Sequence, residues 1–149
     1  MCPKTAAEAI RQVREGRDFQ MPFKILSRIP AADACRVVPG LGYSLATYVL
    51  HTDFWQIVWL NRLTGKRAPS FMKDWRVAEE HEWAEIRTSF LRHLDEAIAL
   101  AEAEPFLHSM NSDAKAVETL LQIAVHNAYH VGQFVLVKRA LRQGATISE

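Results

Sequence analysis

Cysteine is scarce: the 149 residues hold two. Cys2 and Cys35 form no C-x-x-C pair, which excludes a disulfide-stapled scaffold and makes a reducing cytoplasm the expected compartment. An excess of either charge is also missing. Eighteen Lys and Arg stand against seventeen Asp and Glu, for a formal net charge of +1, so neither a nucleic-acid groove nor an anionic membrane surface is predicted as partner. The densest basic group, Lys138, Arg139 and Arg142, reads as the complement of a helix dipole near the end of the chain. No apolar run reaches the roughly 18 residues of a membrane span. The opening MCPKTAAEAIRQVREG is charged and helix-like, without the apolar core of a signal peptide. Alternating strands, internal repeats and low-complexity segments are absent too. So are G-x-S-x-G, a phosphate loop and a glycine-rich dinucleotide fingerprint.

What is present is helical. Apolar residues make up 49% and charged residues 23%, ordinary for a globular protein, and the length suits one domain over 1–149. Glycine and proline divide the chain into four long tracts. The first runs from about Thr5 to Arg28, weakened at Gly16 and Pro22. A turn-rich loop, IPAADACRVVPGLGYS, leads to a second, N-capped by Ser44 and stopped by Gly65. After the irregular KRAPSFMKDW, the third spans Val77 to Glu104, ahead of Pro105. The fourth is capped by Asp113 and runs to about Gln143, with Gly144 as its stop. Tracts of similar length with modest connections predict an all-α four-helix bundle.

The fourth tract carries two apolar stripes at 100° per residue. Val117, Leu120, Leu121, Ala124, Ala128, Val131 and Val135 form one. Thr119, Ile123, His126, His130, Phe134, Val137 and Leu141 form the other, spaced like a heptad seam. Burial on two sides is therefore expected, one of them against a second subunit. His126 and His130 stand at i and i+4 in the second stripe, which places their Cβ atoms about 5–6 Å apart. Imidazole is costly to bury without a partner. His51 interrupts another inward row, with Thr47, Tyr48, Trp55 and Val58. One histidine from the second tract and two from the fourth can meet at a single ion, although histidines satisfied by hydrogen bonds in a dimer core would use the same positions. His81, His93 and His108 fall off these rows and read as structural or solvated. HEWAE has Glu85 where the second His of a zinc-protease H-E-x-x-H belongs, and HNAYH has Asn127 in place of the glutamate, so thermolysin-type hydrolysis is excluded.

PGLGYSLATYVLHTDFWQ and HNAYHVGQ resemble the corresponding segments of the DinB-like (YfiT-like) metalloenzyme superfamily, a group distinct from the DNA polymerase that shares its name. The resemblance implies a four-helix bundle, commonly homodimeric, in which His51, His126 and His130 hold a divalent metal. Some relatives use a low-molecular-weight thiol such as mycothiol or bacillithiol in transferase or isomerase reactions. Where some relatives carry a carboxylate four residues after the first histidine, this chain has Trp55. Asp53 falls on the opposite helix face and is not counted as a ligand.

Three histidines leave an ion an open position, which points to catalysis on a small-molecule substrate, by activation of water or a thiol. Tyr48 and Trp55 are expected to shape the pocket, with Gln133 a donor behind the ligands. Zn, Ni, Fe and Mn are not distinguished by the ligand set. The rival expectation is a non-catalytic metal- or ligand-binding bundle.

Overall fold

A computed structural model describes residues 2–67, 70 and 72–146. Pro3–Glu15 forms α1, with Pro3 in the first turn where its missing N–H costs nothing, and Ala6, Ala7, Ile10 and Val13 on its buried face. The helix stops at Gly16, which turns left-handed at φ 67° and returns its N–H to Gln12 O. A Cβ there would stand 2.4 Å from Met21 N, so glycine is required by both angle and space. The first tract is accordingly two helices rather than one weakened helix. Pro22–Leu26 restarts as α2, and a further short helix, α3 at Ala31–Cys35, lies inside the stretch expected to be loop.

α4 covers Leu45–Thr64 with the predicted ends: Ser44 Oγ accepts from Thr47 N, and Gly65 closes the helix at φ 72°. The next helix starts later than the pattern suggests. Residues 77–79 lie outside any helix, Glu79 being extended, and Ala78 N donates to Thr47 Oγ1 at 3.3 Å. A 3-10 turn at Glu80–Glu82, held by reciprocal Glu79 and Glu82 capping, then feeds α5 at Trp83–Glu102. That helix ends three residues before Pro105, since the residue preceding a proline avoids helical backbone.

α6 runs from Asp113 to Thr146. Its cap is Ser112, whose Oγ accepts from Lys115 N at 3.2 Å, while Asp113 holds His108 at 2.9 Å. Gly144 does not stop it; a glycine costs a helix about 1 kcal/mol without breaking it.

The four long helices form the expected bundle. α5 and α6 each pack against both α1 and α4, and they meet across the centre, where Phe90 and Phe134 lie edge to face at 5.6 Å. The two stripes of α6 merge into one broad inward face, with Val117, Leu120, Ile123, Val131, Phe134 and Val137 all buried. Its other side is apolar but open: Val125 is 70% exposed, Tyr129 66% and Leu136 58%. Among the described residues, no helix is long and apolar enough to cross a membrane.

Candidate metal centre

His51 reaches the bundle interior from the middle of α4 and is 6% exposed, while His130 on α6 is 4% exposed and His126, one turn earlier, is half-buried. Each offers one ring nitrogen, and these three atoms lie within 4.8 Å of one another. The two helix-borne imidazoles of α6 bring their Nε2 atoms to 3.1 Å. The three histidines are therefore positioned to hold a metal ion.

Outer contacts fix the tautomers. Asp74 Oδ1 accepts from His51 Nδ1 at 2.5 Å, and Gln133 Oε1 accepts from His130 Nδ1 at 2.6 Å. A ring that donates through Nδ1 keeps the Nε2 lone pair free, which is the form a metal needs. His126 Nδ1 is buried with no hydrogen-bond partner among the described residues, an expense that a ligated Nε2 would offset. The donor set thus fits a divalent ion: neutral imidazoles, two of them oriented by oxygen acceptors.

Burial is the first cause of the electrostatics. It pushes His126 down from 6.5 to about 4, helped by His130 and His51, and it also lowers His130 against the hydrogen bond that His130 donates to Gln133. Both rings stay neutral at pH 7. The unfolded chain takes up protons below 6.5 that folded His126 refuses until about 4. The contribution of neutral His126 to the stability of the metal-free protein is therefore full above pH 6.5 and is lost as pH falls from there toward about 4. Urea midpoints at pH 7 and pH 5 should show the fall, and His126→Asn should flatten it.

Of the residues expected around the ligands, Trp55 donates Nε1 to Asp74 Oδ2 at 3.1 Å. Gln133 touches His130 as an acceptor, not as the donor expected. Tyr48 stands one ring further out, edge-on to Trp75 at 5.7 Å. Sequence reasoning missed Asp74 and Trp75, both in the segment read as irregular. Trp75 takes a left-handed φ of 54°; its N–H donates to Asp74 Oδ1 at 2.9 Å. Its ring stacks on His51 at 3.6 Å and on Tyr43 at 4.4 Å. One signal was available: a half-buried Trp55 indole at the family's carboxylate position requires an acceptor, and Asp74 is it. The same segment includes Ala68, Pro69 and Phe71, which lie outside the described residues.

The other histidines sit elsewhere. His81 is exposed, and His108 pairs with Asp113. His93 Nδ1 donates to Asp53 Oδ1 at 2.7 Å, on the side of α4 facing α5. Asn127, which occupies the protease glutamate position, is buried and donates to Ile123 O at 2.7 Å.

A family model of the DinB superfamily matches residues 17–134, a span containing all three histidines. The chain belongs to the DinB superfamily. No curated protein and no solved structure matches it. In this chain a carboxylate on the α4–α5 connection, Asp74, accepts from His51 and from Trp55.

Beside the cluster, Trp59, Leu121, Val125 and Tyr129 line an open groove of about 550 Å³ together with His126, Glu118 and Gln122. Trp59 meets His126 edge-on at 5.1 Å, so the groove and the cluster share a wall.

Proposed function

We propose that this protein is a metal-dependent enzyme. His51, His126 and His130 would hold a divalent ion, whose chemistry there would be to lower the pKa of water or a low-molecular-weight thiol as the nucleophile toward a small-molecule substrate. The observation that carries the reading is the convergence of three imidazole nitrogens within 4.8 Å, with no fourth His, Cys, Asp or Glu grouped with them among the described residues. Structural sites usually close with four protein ligands, and catalytic ones keep a position open. When bound, a divalent ion supplies the Lewis acidity that lowers the pKa of water or a thiol.

The chain's own groups do the rest. Asp74 fixes the His51 ring and Gln133 the His130 ring, so the ligands are preorganised. Trp75 covers one face of His51 and shields it from solvent. The groove along Trp59 and Tyr129 offers a substrate an apolar wall beside the reacting position.

A homodimer is the proposed assembly, supported by the open apolar side of α6 at Val125, Tyr129 and Leu136; the partner subunit would then form the far wall of the groove that Val125 and Tyr129 line. Steady-state assays of the metal-loaded protein, with low-molecular-weight thiols or water against apolar electrophiles, test the proposal. Turnover that disappears on chelation and returns with the ion supports it. Tight stoichiometric metal binding without turnover on any pair would favour the non-catalytic binding bundle.

A further inference from the structure

An acceptor on Nδ1 fixes the tautomer of His51 but holds the plane of its ring only loosely. The χ2 torsion of histidine is broad, and an N–H···O bond tolerates about 30° of tilt. The plane is set instead by Trp75. Its ring stacks on His51 with centroids 3.6 Å apart and planes 16° from parallel, so a tilting imidazole would run into the indole. Tyr43 backs the other face of the indole at 4.4 Å and 22°. Tyr48 and His130 stand edge-on to it at 5.7 Å and 6.3 Å. The indole is thus the middle ring of a three-ring stack and neighbours histidines of both α4 and α6.

The backbone is bent to allow this. Successive side chains of an extended strand point to opposite sides. Here a turn at Asp74 and Trp75, with Trp75 at φ 54°, puts one carboxylate on the edge of the imidazole and the next side chain on its face. A bulky residue in that left-handed region is strained, and it persists only where its surroundings over-determine it. They do so on both sides. Asp74 Oδ2 is taken by Trp55 Nε1 at 3.1 Å. Beyond the turn, Arg76 pairs with both oxygens of Glu82 at 2.9 and 2.6 Å, and Ala78 N donates to Thr47 Oγ1 at 3.3 Å. We propose that Trp75 is a positioning residue acting through His51: its indole holds the imidazole in the plane that turns the free nitrogen toward His126 and His130. The part that concerns ion affinity rests on the proposed metal centre; ring order is a property of the metal-free chain.

The test compares the full chain, with ¹³C,¹⁵N-labelled histidine and no metal, as wild type, Trp75→Ala, Trp75→Phe and Tyr43→Ala. Carbon relaxation at His51 Cδ2 should report a rigid ring in wild type, a mobile one in Trp75→Ala and a largely rigid one in Trp75→Phe. Long-range ¹H–¹⁵N spectra should show the Nδ1–H tautomer kept throughout, because Asp74 is untouched. Competition for Zn²⁺ with a chromophoric chelator gives a second readout. Trp75→Ala should bind about tenfold or more weakly at unchanged stoichiometry, as for loss of an outer partner, and Trp75→Phe should recover most of that. Tyr43→Ala, at an exposed position, should loosen the ring less and cost roughly two- to tenfold, as for one aromatic pair. A residue that only packs would lower Tm and move neither readout. Equal ring order in wild type and Trp75→Ala overturns the proposal, as does unchanged Zn²⁺ affinity in Trp75→Ala. Loss of the tautomer in Trp75→Ala overturns it too, since the effect would then run through Asp74. If Trp75→Ala does not fold, a ring as ordered in Tyr43→Ala as in wild type overturns it. Should Zn²⁺ not bind wild type, the metal centre fails and ring order alone decides the role of Trp75.

Discussion

His130→Ala should abolish stoichiometric binding of a divalent ion, measured by elemental analysis of protein purified without a chelating column. Removing a direct ligand costs more than the 10- to 100-fold that typically follows loss of an outer partner. Asp74→Asn provides the graded comparison. It leaves three ring nitrogens but weakens the acceptor that holds His51 Nδ1, so affinity should fall by roughly 10- to 100-fold with stoichiometry kept. Thermal unfolding supplies a second readout. An ion at about 1,000 times its Kd stabilises the folded state by about 4 kcal/mol, equivalent to roughly 8–16 °C for a chain of this size. Wild type should show that rise on loading and His130→Ala none. A stoichiometric ion in His130→Ala, or none in wild type, sinks the assignment of the three histidines.

The second large effect belongs to a carboxylate away from the centre. Asp53 is 4% exposed, accepting from His93 Nδ1 at 2.7 Å, Ser89 Oγ at 2.6 Å and Gln56 Nε2 at 3.0 Å. The bonds from His93 and Ser89 tie α4 to α5 on the face turned away from the histidines. Asp53→Ala removes the carboxylate partner of His93 and Ser89 together, while Gln56 Nε2 keeps its bond to Phe90 O at 3.2 Å. A loss of about 3 kcal/mol is expected, or roughly 6–12 °C in Tm. Metal stoichiometry should be unchanged at temperatures where the variant is folded. If ion binding fell and Tm did not, Asp53 would belong to the metal centre after all.

These two residues also show what periodicity can deliver. Asp53 and His51 are neighbours in sequence, yet 100° per residue is enough to send one toward α5 and the other toward α6. The same arithmetic put His126 and His130 on one seam, and side-chain chemistry marked Ser44 and Gly65 as ends of α4. Where a segment has no period, nothing of this kind is available. Asp74 and Trp75 are placed by contacts with His51, Trp55 and Tyr43, all distant in sequence, so their roles could not be read along the chain. Other misses concern weights rather than signs. Gly16 and Gly144 are the same residue type, but only Gly16 occupies a left-handed turn with backbone packed against it. Asp113 and Ser112 are both good caps, and the choice between them is settled by the reach of one hydroxyl to Lys115 N. The basic cluster on α6 was legible as charge, while the bonds of Lys138 to Lys24 O and Ile25 O need α2 in place.

Asp74 has a consequence for how the centre comes into being. Its carboxylate accepts both from His51 and from the backbone of Trp75, so ring orientation and loop path are decided together. Closing a loop between distant residues costs chain entropy before any contact repays it. The helices can form and pair locally, whereas the nitrogen cup needs α4, α6 and the connecting strap all in place. Competence to bind an ion should therefore be among the last properties acquired as the chain folds, and among the first surrendered when it begins to open.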